Sequence, residues 1–185
     1  MRELSLHVLD LMENSLAAGA HRLEVSILED TVANTLTIVV ADDGRGMDAE
    51  TRARAVDPYY TTRTTRHVGL GLPLTKAAAE RCAGSFSLES EPGKGTTVVA
   101  RFQRDHIDRA PLGDMISALM GALLSDRDNW DLHYVHRIDE RELVLDTAEL
   151  REVLGDVPFG HPAVRDWLVE YLREGYKELY GQVEA

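Results

Sequence analysis

Apolar residues follow helical spacing in some stretches of the chain and strand-like alternation in others. Over Leu4–Ala18 they lie on one side of a helix, which Gly19 would end. The stretches RLEVSILE and TLTIVVA alternate apolar and polar residues, which predicts two half-buried strands. A short helix over Ala49–Val56 and a longer one over Leu72–Cys82 come next. SFSLES and GTTVVARF then predict two more strands, joined by the turn EPGKG.

The pattern changes near residue 104. A helix over Leu112–Ser125 precedes two predicted strands, LHYVHRI and ELVLD. A last helix begins near Pro162 and carries an apolar stripe at 3.6-residue spacing, formed by Val164, Trp167, Leu168, Tyr171, Leu172, Tyr176, Leu179 and Tyr180. We therefore divide the chain into a first unit over 1–104 and a helix–strand–strand–helix extension over 105–185. The aromatic stripe is core or an oligomer contact, so the extension is expected to bind a partner or to form a homodimer.

Composition narrows the function classes. The chain has 185 residues and a net charge of −12, which argues against binding a nucleic-acid backbone. Its single cysteine, Cys82, cannot form an internal disulfide and suits a reducing compartment. The longest apolar run, Met115–Leu124, is too short to span a bilayer. We therefore expect a soluble, cytoplasmic protein with no nucleic-acid or membrane partner.

Two polar residues interrupt the first helix on one face. Asp10 and Asn14 are four residues apart, so their side chains share a side of the helix. A carboxylate can orient or deprotonate a water molecule, and an amide oxygen can ligate Mg²⁺. Polar helix residues also commonly face solvent, so the pair alone leaves both interpretations open.

Two glycine-containing segments could also carry chemistry. Asp42 ends a strand and opens DDGRGMD; its carboxylate could accept a hydrogen bond from an exocyclic amine such as that of adenine. Gly44 and Gly46 would let the backbone approach a flat ligand closely. GLGL, at 69–72, opens a helix, where free N–H groups and the helix dipole favour phosphate. Each segment alone is equally explained by a turn.

Taken in order, these segments resemble the nucleotide-binding domain of the GHKL superfamily, which includes gyrase, chaperone, histidine-kinase and mismatch-repair ATPases. ENSLAAGA is similar to the N-box, DDGRGMD to the G1 box and DPYYTT to the F-box. GLGLPLTKAAAERCAGSFSLESEPGKGTTVVARF is similar to the G2 box together with the segment after it. The resemblance covers about residues 1–104. It implies an α/β two-layer sandwich, a mixed sheet with helices on one face, that holds Mg-ATP between its layers under a lid over 57–71.

The resemblance also implies roles for individual residues. Asn14 would bind Mg²⁺, Asp42 would accept from the adenine amino group, and Thr97 would lie near the adenine. The other nucleotide contacts that it implies are Gly44, Gly46, Met47, Thr62, Arg63, Gly69, Leu70, Gly71 and Leu72.

The resemblance leaves the identity of the general base for hydrolysis undecided. Asp10 stands where many ATPase members carry a glutamate, and the shorter side chain reaches one methylene less far. A shift of about 1 Å can cost on the order of 10²-fold in rate, so ATP binding is expected whereas efficient hydrolysis is an open question. Glu13, one helical step round, is a weaker candidate base.

One segment of the extension could point to phosphotransfer. HIDRAPLGDMI has the H-x-x-R-x-P-L spacing of a histidine-kinase H-box, which would make His106 a phosphoacceptor. Ile107 stands where an acid is usual, and the segment comes after the ATP unit instead of preceding it. We therefore favour coincidence or a linker histidine over a phosphoacceptor.

The resemblance leaves three functions to compare. The first is a histidine-kinase-like ATPase or protein kinase that hydrolyses ATP or transfers its γ-phosphate to a partner protein. The second is a nucleotide-gated interaction module, as in the anti-sigma-factor branch. The third is a non-catalytic ATP-binding subunit of a larger complex.

Overall fold

The structure, a computed structural model, describes residues 2–57, 71–125, 127 and 129–181. Its elements agree with the predicted ones to within about three residues. The main difference is the fourth helix, which begins at Met115 because the Asp114 side chain caps it by accepting a hydrogen bond from Ser117 N. The elements are α1 (Leu4–Ala17), β1 (Arg22–Asp30), β2 (Thr35–Asp42), α2 (Ala49–Ala55), α3 (Gly71–Arg81), β3 (Ser85–Glu91), β4 (Gly95–Gln103), α4 (Met115–Leu123), β5 (Asp131–Ile138), β6 (Arg141–Asp146), α5 (Thr147–Leu154) and α6 (Pro162–Tyr180).

The six strands form one mixed sheet in the order β3-β4-β2-β1-β5-β6. β1 and β5 are parallel, and the other neighbouring strands are antiparallel. With the helices on one face, this confirms the predicted two-layer α/β sandwich. The strands of the extension continue the sheet of the first unit, so the division at residue 104, which stays a prediction, does not separate two sheets.

The core lies between the sheet and its helices. Leu4, Val8 and Met12 of α1 are fully buried and, four residues apart, share one side of the helix, whereas Leu6 is exposed. Leu168 and Leu172 of α6 are also fully buried, whereas the other residues of its stripe vary in exposure. The sheet residues of this core are Leu23, Val25, Ile27, Leu36, Ile38, Val40, Val98, Ala100, Phe102, Leu132, Tyr134, Ile138, Leu143 and Leu145.

A buried hydrogen bond fixes α3 against α1. His7 Nδ1 lies 2.9 Å from Thr75 Oγ1, and both side chains are buried. Burial, with smaller contributions from the positive N-terminus and Arg81, lowers the pKa of His7 to about 4. The imidazole is therefore neutral at pH 7 and holds the two helices in register.

The H-box-like segment has a structural role at the start of α1. Its Pro111 and Leu112 carbonyls accept hydrogen bonds from Leu4 N and Ser5 N, at 2.9 and 2.7 Å. These are two of the N–H groups that the first turn of a helix leaves without a partner. The segment thus anchors the helix that carries Asp10.

A second polar cluster, the far-end cluster, lies where β1 ends. Glu29 accepts hydrogen bonds from Arg104 Nε at 2.7 Å and Tyr180 OH at 3.4 Å, and lies 3.2 Å from His136 Nε2. Burial raises the pKa of Glu29, but the hydrogen bonds from His136 and Arg104 outweigh it, so the net pKa is below its usual range. The cluster joins α6 to β1 and β5.

Candidate functional site

A cavity of about 650 Å³ opens between α1, α2, the loop after β2 and the start of α3. Small-molecule sites are typically concave and mostly apolar, with a few polar groups that fix orientation. Its lining fits this description and consists of Leu11, Asn14, Ser15, Ala17, Ala18, Val40, Asp42, Arg45, Gly46, Met47, Asp48, Thr51, Ala55, Leu72, Pro92, Thr96 and Val98.

Asp42, the last residue of β2, brings a carboxylate to the cavity wall. Its Oδ2 accepts a hydrogen bond from Ser15 Oγ at 2.6 Å, and its Oδ1 accepts one from Gly44 N at 2.9 Å. A carboxylate has about four lone-pair sites, so two bonds fix its orientation and still leave acceptor capacity at the cavity wall. The geometry therefore presents an oriented acceptor to a ligand with an N–H group.

The loop after Asp42 is held close to its neighbours by backbone contacts. Arg45 N donates to Ala18 O at 3.0 Å, and Gly93 N donates to Arg45 O at 2.8 Å. Gly46 has φ +65°, and a Cβ there would overlap the Glu91 carbonyl. Only glycine fits this position, where the backbone packs against the turn after β3 and also lines the cavity.

The neighbouring Asp43 has a purely structural environment. Its Oδ1 accepts hydrogen bonds from His21 N at 2.7 Å and Arg22 N at 2.8 Å. Burial raises the pKa of Asp43, but these backbone hydrogen bonds outweigh it and lower the pKa below its usual value. Of the two adjacent acids, only Asp42 lines the cavity.

Ser90 joins three segments at the cavity edge. Its Oγ accepts from Met47 N at 2.8 Å, donates to Gly95 O at 3.0 Å, and lies 2.9 Å from Thr96 Oγ1. This network fixes Met47 and Thr96 on the cavity wall.

The structure brings Thr96, not Thr97, to the cavity. Thr96 is the direct cross-strand partner of Asp42, and it lines the cavity together with Val98. Thr97 lies on the opposite face because successive side chains of a strand alternate between faces. The predicted contact is therefore displaced by one residue.

Asp10 and Asn14 meet the start of α3. A Cβ on Gly71 would overlap the Asp10 carboxylate and would lie 3.2 Å from Asn14 Nδ2. Gly71 thus allows the first turn of α3 to approach both side chains. Asn14 and Leu72 line the cavity, whereas Asp10, which is partly buried, and Glu13, which is exposed, are not part of the lining.

Several predicted residues fall elsewhere. Thr62, Arg63, Gly69, Leu70 and the predicted lid between 58 and 70 lie outside the described residues. Gly44 is buried beneath the loop, where a Cβ would lie 2.9 Å from Asp42 Oδ1. His106 follows β4 in a turn, at the end of the strand opposite to Thr96. Seven residues of strand separate them, about 23 Å at 3.3 Å per residue, so the structure does not bring His106 to the cavity.

The described residues fit a magnesium-bound nucleotide better than a metal bound by protein alone. Within 2–57, 71–125, 127 and 129–181, no group of three or more His, Cys, Asp or Glu side chains could hold a metal ion. Mg²⁺ at a nucleotide typically takes one or two protein oxygens and completes its shell with phosphates and water. The Asn14 amide and the Asp10 carboxylate, beside the N-terminus of α3, supply oxygen ligands of this type.

Comparison with known proteins identifies the family. Residues 2–106 match the family model described as histidine kinase-, DNA gyrase B- and HSP90-like ATPase. The chain belongs to this family. It is thus a GHKL-type, histidine-kinase-like ATPase domain, as the ordered motifs predict.

The relatives found by sequence include bacterial kinases. The chain is 42% identical over 89 residues to Sensor protein kinase FleS of Pseudomonas aeruginosa, covering 48% of this chain and 22% of that protein. It is 33% identical over 104 residues to Sporulation kinase B of Bacillus subtilis, covering 56% of this chain and 24% of that protein. The chain therefore spans about a quarter of the length of these relatives.

Solved structures support the fold. The N-terminal domain of a DNA repair protein superposes with a TM-score of 0.53 at 16% identity, covering 79% of this chain and 53% of that one. In the part of the chain that the structure describes, no helix is long and apolar enough to cross a membrane.

Several polar residues of the site are missing from the predicted set. Ser15, Arg45 and Thr96 line the cavity, and Ser90 supports it from behind. Thr96 could have been found from alternation, because it shares a strand face with the apolar Val98. Ser15 and Ser90 carry no local signal, since their partners are 27 and 43 residues away.

Proposed function

We propose that this chain binds Mg-ATP in the cavity and uses it either for hydrolysis or for γ-phosphate transfer to a partner protein. The observation that carries the proposal is the oriented Asp42 carboxylate on the wall of a nucleotide-sized cavity that Asn14 also lines. Family membership supports ATP as the ligand, and the kinases among the relatives support phosphoryl chemistry.

Each group has a defined task in this proposal. Asp42 accepts a hydrogen bond from the adenine amino group, and Met47 and Val98 contact the base. Asn14 ligates Mg²⁺, which when bound neutralises phosphate charge. The free N–H groups at the start of α3 bind phosphate oxygens. Phosphoryl transfer depends mainly on such positioning and charge stabilisation.

Asp10 is the proposed base for an attacking water. Its carboxylate lies beside Gly71 and Asn14, next to the proposed phosphate position. Neither acid is part of the cavity lining, but Asp10 is partly buried against the start of α3, whereas Glu13 is exposed, which makes Glu13 the poorer candidate. Because Asp10 is one methylene shorter than glutamate, we expect slow turnover, by about 10²-fold relative to a well-placed base.

The experiment is incubation with γ-labelled ATP and Mg²⁺, with products separated into free phosphate, acid-labile phosphoprotein and acid-stable phosphoprotein. Asp10→Asn should remove turnover and retain ATP binding, whereas Asn14→Ala should weaken both. Asp10→Glu is the matched variant that lengthens the side chain without changing its charge. Label or phosphate release that is unchanged in Asn14→Ala would refute the proposal.

A second function rests on the same site. The short Asp10 side chain is also compatible with a nucleotide-gated interaction module, in which ATP is held and binding of a partner protein depends on it. Micromolar ATP binding without turnover, together with nucleotide-dependent capture of a partner, would favour this function. A non-catalytic ATP-binding subunit would bind ATP and a partner independently of each other.

A further inference from the structure

The sheet has a second face, away from the helices of the core, whose side chains form three rows across the strands. Register places six residues in each row. The acidic row is Glu89, Thr97, Ala41, Glu24, His133 and Asp146. The valine row is Ser87, Val99, Val39, Ser26, Val135 and Val144. The arginine row is Ser85, Arg101, Thr37, Leu28, Arg137 and Glu142.

The middle row is flat and apolar. Val39, Val99, Val135 and Val144 are only partly buried, in a row that crosses the sheet from β4 to β6. Small side chains at one height make a surface that a second flat surface can cover closely. At the end of the sheet that carries Asp146, α5 contacts β5 and β6: Arg151 Nε bonds to Asp131 Oδ1 at 2.8 Å, and Asp146 Oδ1 accepts from Ala148 N at 2.9 Å.

The charges on either side of the valine row have matched spacing. Glu89 and Glu24 are three strands apart in the acidic row, and Arg101 and Arg137 are three strands apart in the arginine row. At about 4.8 Å per strand, each pair is separated by about 14 Å. The two pairs are offset by one strand, about 5 Å, which long Glu and Arg side chains can span.

Most of these charges have no ion-pair partner among the described residues. In the described part of the structure, Arg101, Arg137 and Glu89 make no ion pair, although all three are exposed. In the ranges that the structure describes, Glu24 forms an ion pair only with Arg22, at 3.1 Å, and both side chains are about half or more exposed. Exposed pairs of this kind contribute little, so Glu24 is available to a better partner.

We infer that this face binds a second copy of the same chain. A two-fold axis along the valine row reverses the strand direction, so the acidic row of one copy faces the arginine row of the other. The valine row then packs on itself, as a self-complementary two-fold interface requires. Each copy supplies Glu89 and Glu24 to Arg101 and Arg137 of the other, which gives four favourable charge contacts. The same axis brings Asp146 of each copy opposite Glu142 of the other, and these two like-charge contacts reduce the gain.

The size of the face fits this partner. Six strands at about 4.8 Å and strand lengths of about 25 Å give roughly 700 Å², close to the roughly 800 Å² that each partner of a standard interface buries. A different dimer surface is offered by α6, where Trp167 and Tyr171 are exposed and stack with ring centroids 5.3 Å apart. The charge pattern favours the sheet face.

The test is sedimentation velocity of the full chain from 1 to 200 µM at low salt. The wild type should dimerise, and Glu89→Arg or Arg101→Glu should each weaken the dimer about tenfold or more, because each contact occurs twice. The charge-swapped double variant, E89R/R101E, should recover to within about threefold of the wild type. Thermal unfolding by circular dichroism checks that every variant folds.

Three results would overturn the inference. One is a wild type that stays monomeric at all concentrations, and another is a double variant as weak as the single ones. The third is a dimer that is lost in W167A/Y171A and unaffected by either charge reversal, which would place the contact on α6. None of these variants touches a residue of the cavity lining, so ATP binding is a separate readout.

Discussion

Two carboxylates on neighbouring central strands have different surroundings. Asp42, at the end of β2, is bonded by Ser15 and Gly44 and lines a cavity of about 650 Å³. Glu29, at the end of β1, is 7% exposed and has Arg104, His136 and Tyr180 around it. The first is oriented and retains acceptor capacity toward a cavity, whereas the second is enclosed by partners from three other segments. An acidic residue alone therefore does not indicate a binding site, whereas an acidic residue beside a cavity does.

The far-end cluster should stabilise the fold without taking part in ligand binding. Its disruption gives the largest expected change in the free energy of unfolding. Glu29→Ala leaves His136 and Arg104 without their acceptor, so the free energy of unfolding should fall by about 3–5 kcal/mol. Asp42→Asn removes no such buried pair and should change it by less than about 1 kcal/mol. Urea unfolding monitored by circular dichroism measures both. Equal losses of unfolding free energy in the two variants would contradict a stabilising role that is specific to Glu29.

His7 gives a pH dependence of stability at the junction of α1 and α3. Its pKa is lowered from 6.5 to about 4 in the folded state, so the unfolded chain binds the proton more readily. Stability is therefore fully present above about pH 7 and is lost as the pH falls through 6.5 toward 4, by about 2 kcal/mol at pH 5.

Urea unfolding at pH 7, 6 and 5 tests this, above the range in which most carboxylates protonate. His7→Gln is the matched variant, because it keeps a polar side chain near Thr75 and cannot titrate. The pH slope should flatten in this variant. A slope as steep as that of the wild type would assign the pH dependence to other groups.

The smallest expected effect separates the two faces of β4. Thr96→Val removes a hydroxyl from the cavity wall, and ATP affinity should fall about fivefold, as expected for one lost hydrogen bond. Thr97→Val, its neighbour on the other face, should stay within about twofold of the wild type. Fluorescence titration with a labelled ATP analogue compares them. A larger loss in Thr97→Val would restore the sequence-based assignment.

Local pattern was sufficient to predict the elements. Alternation in RLEVSILE and TLTIVVA predicts β1 and β2, whereas the Asp114 cap starts α4 three residues after the predicted Leu112. Strand order was not predictable in this way. β5 lies parallel to β1 across about a hundred residues of chain, and no local pattern encodes that pairing.

The site residues likewise divide into those that local sequence predicts and those that it does not. The ordered motifs indicated Asn14, Asp42 and Gly71 because each has a chemical reason in its own segment. Ser15 and Thr96 depend on register between distant strands and helices, which decides the face that a side chain occupies. His106 is the opposite case. Its segment matches the spacing of an H-box, but the residue lies beyond about 23 Å of strand from the cavity.

The most direct test of the ATP-binding proposal is calorimetric titration of the chain with ATP in the presence of Mg²⁺. The wild type should bind, Asp42→Asn should bind about 10- to 100-fold more weakly, and Glu29→Gln should bind within about twofold of the wild type. Asp42→Asn keeps the shape of the side chain, removes its charge and replaces one acceptor oxygen with an N–H donor, so a loss of affinity would come from the lost carboxylate acceptor. Absence of binding in the wild type, or equal affinity in Asp42→Asn, would contradict the proposal that this carboxylate recognises the nucleotide.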